Sequence, residues 1–169
     1  MTSTAERVKA ADSQALLDKG GKYLTFVLRG EEYGLRILKV REIIGLMDIT
    51  AVPQMPAYVA GVINLRGKVI PVVDLRLKFQ MVHEEFTDQT CIIVVELAGE
   101  RGETLVGILV DTVSEVLDIP GEDIEPAPEF AAGVNTEFIL GIGKVKGAVK
   151  ILLEIDKVLR GSDVAVKQS

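Results

Sequence analysis

The chain has 169 residues, 48% apolar and 26% charged, with a formal net charge of -6 and one cysteine, Cys91. A globular chain of this size buries roughly 70% of its unfolded surface and needs no covalent staples. The acidity argues against nucleic acid or an anionic membrane surface as partner, and the lone cysteine excludes an internal disulfide or a cysteine-based zinc site.

Residues 1–20 contain no apolar core of the kind a secretory signal carries, so the expected location is cytoplasmic. They read as a mobile arm with a loose helix around 15–18. Regular structure is predicted from Gly21 onward. Residues 23–28 alternate, and Tyr33, Leu35 and Ile37 alternate again after a turn at Gly30-Glu31, which is a hairpin pattern. Val40, Ile43 and Ile44 then fall at helical spacing before Gly45, which predicts one or two helical turns. Pro53 and Pro56 mark an extended loop.

Two strands follow at 59–65 and 69–75, joined across Arg66-Gly67; the second is almost wholly apolar and reads as buried on both faces. Later strands are predicted at 90–97, 104–112, 138–142 and 147–155, then a short helix over 156–160 with Asp156 as its cap, and a tail at 161–169. The longest apolar runs, such as 69–73 and 92–95, fall far short of the roughly 18 residues a spanning helix requires. No long amphipathic helix is predicted, so the fold class is all-β.

The chain repeats itself. Residues 34–44 lie over 107–117 with Gly34/Gly107, Val40/Val113 and Glu42/Glu115 identical. Four aliphatic pairs accompany them, Ile43/Val116 and Ile44/Leu117 included. Pro56-Ala57-Tyr58 through Gly61-Val62 resembles Pro128-Glu129-Phe130 through Gly133-Val134. Gly67, Val69, Val72, Val73, Asp74 and Leu75 then lie over Gly147, Val149, Leu152, Leu153, Glu154 and Ile155. Blocks recurring in one order indicate two copies of one unit, approximately 23–79 and 90–155. Each copy is too short to be very stable singly, and closure into barrels would remove exposed edges. Periodicity alone leaves paired barrels and a sandwich both open.

Chemistry is sparse. The single histidine, His83, sits in a polar stretch between strands, without a nucleophile at motif spacing. Gly141-Ile142-Gly143-Lys144 lacks the upstream glycine and following Ser/Thr of a phosphate loop. Asp74, Asp111 and Glu154 end apolar strands and are read as solvated carboxylates rather than metal ligands. Cys91 is read as a structural buried thiol. Asn64 and Arg66, polar within 61–76, are on residues alone most simply the makers of a hairpin turn.

Three stretches carry a resemblance to the CheW-like family of chemotaxis coupling domains. They are 61–79, with Asn64-Leu65-Arg66-Gly67 and Ile70-Pro71-Val72-Val73-Asp74-Leu75-Arg76; 106–117; and Pro126-Ala127-Pro128-Glu129-Phe130. The resemblance runs from Lys22 to Arg160, which places a CheW-like domain at 21–160. It implies two intertwined five-stranded SH3-like barrels with short helical turns and a short C-terminal helix.

The resemblance further implies an adaptor, recruited to membrane receptors through protein contacts, that joins a chemotaxis histidine kinase to chemoreceptor cytoplasmic tips. No catalytic residue, metal or cofactor is implied. It assigns Val40, Glu42, Ile43, Gly61, Arg66, Cys91 and Val116 to the receptor-binding groove or its border. Arg66 and Glu42 are expected to pair at the rim. Phe130, with Glu125 nearby, falls at a kinase contact; Phe130 is equally readable as a core aromatic equivalent to Tyr58. The rival readings are a CheW-like regulatory module of a pathway other than motility and a small β-barrel enzyme.

Overall fold

Alternating apolar and polar residues, punctuated by glycine-bearing turns, build eleven strands among the described residues of a computed structural model. It describes residues 18–81, 85–99, 102–127 and 136–159. The elements are β1 (Gly21–Leu28), β2 (Glu31–Arg36), a 3-10 turn (Ile37–Lys39), β3 (Val40–Gly45), β4 (Val59–Leu65), β5 (Lys68–Asp74) and α1 (Leu75–Lys78). Next come β6 (Cys91–Gly99), β7 (Gly102–Val110), β8 (Thr112–Ile119), a 3-10 turn (Gly121–Asp123) and β9 (Ile124–Glu125). A 3-10 turn (Thr136–Phe138), β10 (Ile139–Val145), β11 (Ala148–Leu153) and α2 (Ile155–Leu159) complete it.

Three hairpins turn on a basic residue followed by glycine. Arg29-Gly30, Arg66-Gly67 and Lys146-Gly147 have φ values of 51° and 81°, 52° and 86°, and 52° and 80°. Positive φ at both central residues is the primed turn, whose twist matches the strands it joins. The first turn is therefore one residue earlier than the Gly30-Glu31 expected.

The strands form two sheets, in the orders β8-β1-β2-β11-β10-β9 and β3-β6-β7-β5-β4. The β1–β2 hairpin thus lies among strands of the chain's second half, and the β6–β7 hairpin among strands of its first. This exchange makes the fold two intertwined SH3-like subdomains. The registers are the same in both. Leu24 faces Leu35 and Ile93 faces Ile108; Gly34 lies beside Leu152 in the parallel β2–β11 pair, as Gly107 lies beside Val72 in β5–β7. A Cβ on either glycine would stand 2.8 Å from a methyl group, of Leu152 and Ile92 respectively.

Because side chains alternate across a strand, β6 sends Ile92 and Val94 into one subdomain and Ile93, Val95 and Leu97 into a central core between the sheets. On β1, Leu24, Phe26 and Leu28 enter that same central core, while Tyr23 joins Ile119, Ile124, Leu140 and Leu152 inside the other subdomain.

Four sequence expectations change. Residues 40–44 are not helical. They form β3, whose pairing slips between Val40/Val95 and Glu42/Val94. The bulge places Val40 and Ile43 on one face, three residues apart, and so imitates helical spacing. The strand β8, where the same slip recurs opposite β1, escapes an alternation test for that reason. The last helix starts at Ile155, with the Glu154 carbonyl accepting from Lys157 and Val158 N–H groups. Asp156 lies inside it and pairs with Lys39 instead of capping. The position of Tyr58, whose carbonyl accepts from Asp74, recurs at Phe138, whose carbonyl accepts from Glu154; that is offset 80, not the offset 72 that matched Phe130. Phe130, His83, residues 1–17 and the tail at 161–169 lie outside the described residues.

Candidate functional site

The edge strands β3 and β8 each pair on one side only, with β6 and β1. Cross-strand partners share a face, so Val40 and Ile43 share the faces of Val95 and Ile93, and Val113 and Val116 those of Phe26 and Leu24. All four partners belong to the central core, and Val40 and Val113 pack against it. Ile43 and Val116 lie farther out and are 43% and 49% exposed. Each sheet therefore carries, on an edge strand, an aliphatic pair that continues the core toward solvent.

Both lips are set by a bulge. On β8, Ser114 and Glu115 stand opposite the single residue Thr25. The buried Thr25 hydroxyl donates to the Glu115 carbonyl at 2.8 Å and accepts from its N–H at 3.1 Å, so the unpaired peptide is satisfied.

Beside the β3 lip, the Arg66 guanidinium donates to the Glu42 carboxylate, joining the β4–β5 turn to the edge strand. The expected pairing of Glu42 with Arg66 is present. Asn64 has the plainer role, its side chain accepting from the Gly67 N–H at 2.9 Å across the turn. Gly61 has φ 144°, and a Cβ there would sit 2.1 Å from the Thr50 carbonyl oxygen. Its bare backbone lets Thr50 bridge to Val62 by two 2.9 Å hydrogen bonds. Cys91 is only partly buried, correcting the expected buried thiol; it faces Gly45 at the end of β3, and its Sγ donates to the Gln89 carbonyl at 3.2 Å.

The structure thus gathers Val40, Glu42, Ile43, Arg66 and Cys91 around one lip, with Gly61 shaping the loop behind, and sets Val116 on the other. Glu125 is separate. It lies on β9, at the opposite edge of its sheet from β8, paired with Lys144 at 2.7 Å. That bond holds the exposed ammonium above its ordinary pKa.

Two features were missed from the sequence. Val113 was legible as the counterpart of Val40. The other is a buried ionic cluster. The Arg76 guanidinium, 2% exposed, binds both oxygens of Asp74 at 3.2 Å and Asp111 at 3.2 Å, with the Phe86 ring 5.4 Å away. Burial opposes its charge, but the bonds and attraction of the two carboxylates outweigh that and hold its pKa above the ordinary value. Asp74 also accepts from the Arg76 N–H to cap α1, and Asp111 accepts from the Arg29 N–H at 2.7 Å. Asp74 is buried rather than solvated, because Arg76 compensates it. The cluster ties the β1–β2 turn to the base of β8. Among the described residues no group of three His, Cys, Asp or Glu gathers as a metal site.

A family profile described as CheW-like domain matches residues 22–163. The chain belongs to the CheW-like family. "Chemotaxis protein CheW" of Klebsiella aerogenes is 41% identical over 147 residues, covering 87% of this chain and 86% of that protein. The protein of the same name from Helicobacter pylori is 33% identical over 152 residues, covering 90% and 87%. The crystal structure of the scaffolding protein TtCheW from Thermoanaerobacter tengcongensis superposes with a TM-score of 0.74 at 35% identity, covering 83% of this chain and 88% of that one. CheW-like membership makes the chain a non-enzymatic adaptor of chemotaxis. No helix among the described residues is long and apolar enough to cross a membrane.

Proposed function

We propose that the chain couples a chemotaxis histidine kinase to the cytoplasmic tips of chemoreceptors, so that kinase activity follows the receptor. It acts in the cytoplasm, at membrane receptor arrays. The observation that carries this reading is the pair of aliphatic lips, Val40 and Ile43 on β3 and Val113 and Val116 on β8. They are the receptor groove. An amphipathic receptor helix laying an apolar ridge between them extends the central core and removes Ile43 and Val116 from water. The Glu42–Arg66 pair fixes the rim; being exposed, it adds only about 0 to 1 kcal/mol to folding. Gly61 and Cys91 shape the surroundings of the β3 lip. The kinase contact is assigned to Phe130 and Glu125 by the family resemblance; Glu125, on β9, is at the opposite edge of its sheet from the β8 lip.

The test is reconstitution with the kinase and a receptor-tip fragment, reading autophosphorylation. Arg66→Asp is expected to keep the wild-type circular dichroism spectrum and urea midpoint while receptor dependence falls severalfold. A folded Arg66→Asp protein with normal receptor and kinase coupling would overturn the reading.

A further inference from the structure

The strands β3 and β8 carry the same bulge, and the two are closed differently. On β3, Arg41 and Glu42 stand opposite Val94, and Glu42 keeps a place in the ladder as the partner of Val94. On β8, Ser114 and Glu115 stand opposite Thr25, and the ladder passes from Leu24–Val116 directly to Phe26–Val113. Thr25 thus occupies the place of Val94. Where Val94 packs inside its subdomain, Thr25 turns a hydroxyl to the bulge, donating to the Glu115 carbonyl at 2.8 Å and accepting from the Glu115 N–H at 3.1 Å. In a regular antiparallel pair an extended residue exchanges both bonds with the backbone of one partner; here a side chain takes both. Thr25 is 1% exposed, so these bonds are made away from water. The clamp sits at the middle of the lip. Val113 and Val116, flanking the bulge, face Phe26 and Leu24, the residues on either side of Thr25. β1 is the one sheet neighbour of β8, so the way β8 sits on β1 sets the spacing and tilt of the two valines.

We infer that Thr25 is a positioning residue of the receptor groove: its hydroxyl fixes the bulge that sets Val116 at its distance and angle from Val113, and receptor binding draws on that fixed lip. The inference rests on the groove reading. The β3 lip is fastened from outside, by Arg66 on Glu42, and the β8 lip from inside, by a buried hydroxyl that touches no receptor atom. A lip already fixed spares the complex an ordering cost, and losing it acts mainly on how fast the complex dissociates. A threonine needed only for folding would tie binding to stability, whereas a positioning one separates them.

The experiment measures dissociation of a labelled receptor-tip helical hairpin from the full chain by stopped flow, beside the urea midpoint of each protein and the amide exchange of Glu115. Thr25→Val keeps the shape of the side chain and removes the hydroxyl. It is expected to speed dissociation severalfold and Glu115 exchange roughly tenfold. Thr25→Ser keeps the hydroxyl and deletes a buried methyl, so it should lower the urea midpoint yet release the hairpin at the wild-type rate. Ile124→Val, buried in the same subdomain but on β9 at the opposite edge of the sheet, should likewise lower the midpoint and leave dissociation within about twofold of wild type. Wild-type dissociation from Thr25→Val, or release from Thr25→Ser or Ile124→Val as fast as from Thr25→Val, would overturn the inference. So would a Glu115 amide that exchanges in the wild type as fast as an unbonded one, a result that needs no variant to fold. Val116→Asp separates the inference from the groove reading. If that variant abolishes binding while Thr25→Val releases the hairpin normally, only the role of Thr25 fails; if Val116→Asp binds normally, both fail.

Discussion

Arg76 shows how one residue can be structural for electrostatic reasons. Its guanidinium is buried with Asp74 and shared with Asp111, and a buried pair is far more costly to break than it is worth when whole. Arg76→Met keeps much of the volume and strands the Asp74 carboxylate among apolar neighbours. It is expected to cost about 3 to 5 kcal/mol, read as a lower urea midpoint at unchanged slope. Asp74→Asn added to Arg76→Met should recover part of that loss; a single variant within about 0.5 kcal/mol of wild type would contradict the cluster's role. The sequence showed Asp74 and Arg76 two residues apart at the end of an apolar strand, but a carboxylate there is solvated unless something meets it. The second acid, Asp111, lies 35 residues away and is brought in by the parallel β5–β7 pair. That long-range placement is invisible to local pattern. Arg66 was the opposite case, since its partner Glu42 was legible through the family resemblance and is in contact.

At the scale of elements, most turns and strands were readable because each announces itself within a few residues. The edge strands β3 and β8 were not, because the slip falls among their alternating residues and breaks the period of two; in β4 and β10 it falls in the first residues and leaves the rest of the run apolar enough to read. The repeat supplied what periodicity lost, aligning Gly34 with Gly107 before any pairing was known. Both glycines admit a parallel neighbour, yet what they meet differs. A Cβ at Gly34 would press on Leu152 Cδ2, the end of a side chain with two torsions; at Gly107 it would press on Ile92 Cγ2, attached to a stiff branched carbon, with Val72 Cγ2 at 3.4 Å. Gly107→Ala is therefore expected to cost about 1 to 3 kcal/mol by overpacking, and Gly34→Ala less. Denaturation of the two variants side by side checks the order. Equal losses would mean that Ile92 yields as easily as Leu152.

For the whole molecule the decisive fact is that neither sheet belongs to one half of the chain. Cut after Met81, the first half retains β3 and the β4–β5 hairpin without the β6–β7 hairpin that stands between them, and a β1–β2 hairpin stripped of β8 and β11. A two-stranded hairpin is marginal in water, and the central core would lose one of its two contributors on every face. Residues 1–81 and 82–169, produced separately, are expected to show no cooperative urea transition, and mixed together to recover one. The intact chain should unfold in a single step, with far-ultraviolet circular dichroism and tyrosine fluorescence coincident. The comparison is made in a Tyr58→Phe background, because Tyr23 and Tyr33 lie on the six-stranded sheet while Tyr58 borders β4; independent melting of the five-stranded sheet would then separate the two curves. A half that folds alone would show that the exchange of hairpins is incidental to stability. The β3 lip comes from the first half and the β8 lip from the second, so receptor-fragment binding should likewise be absent from each half and return on mixing.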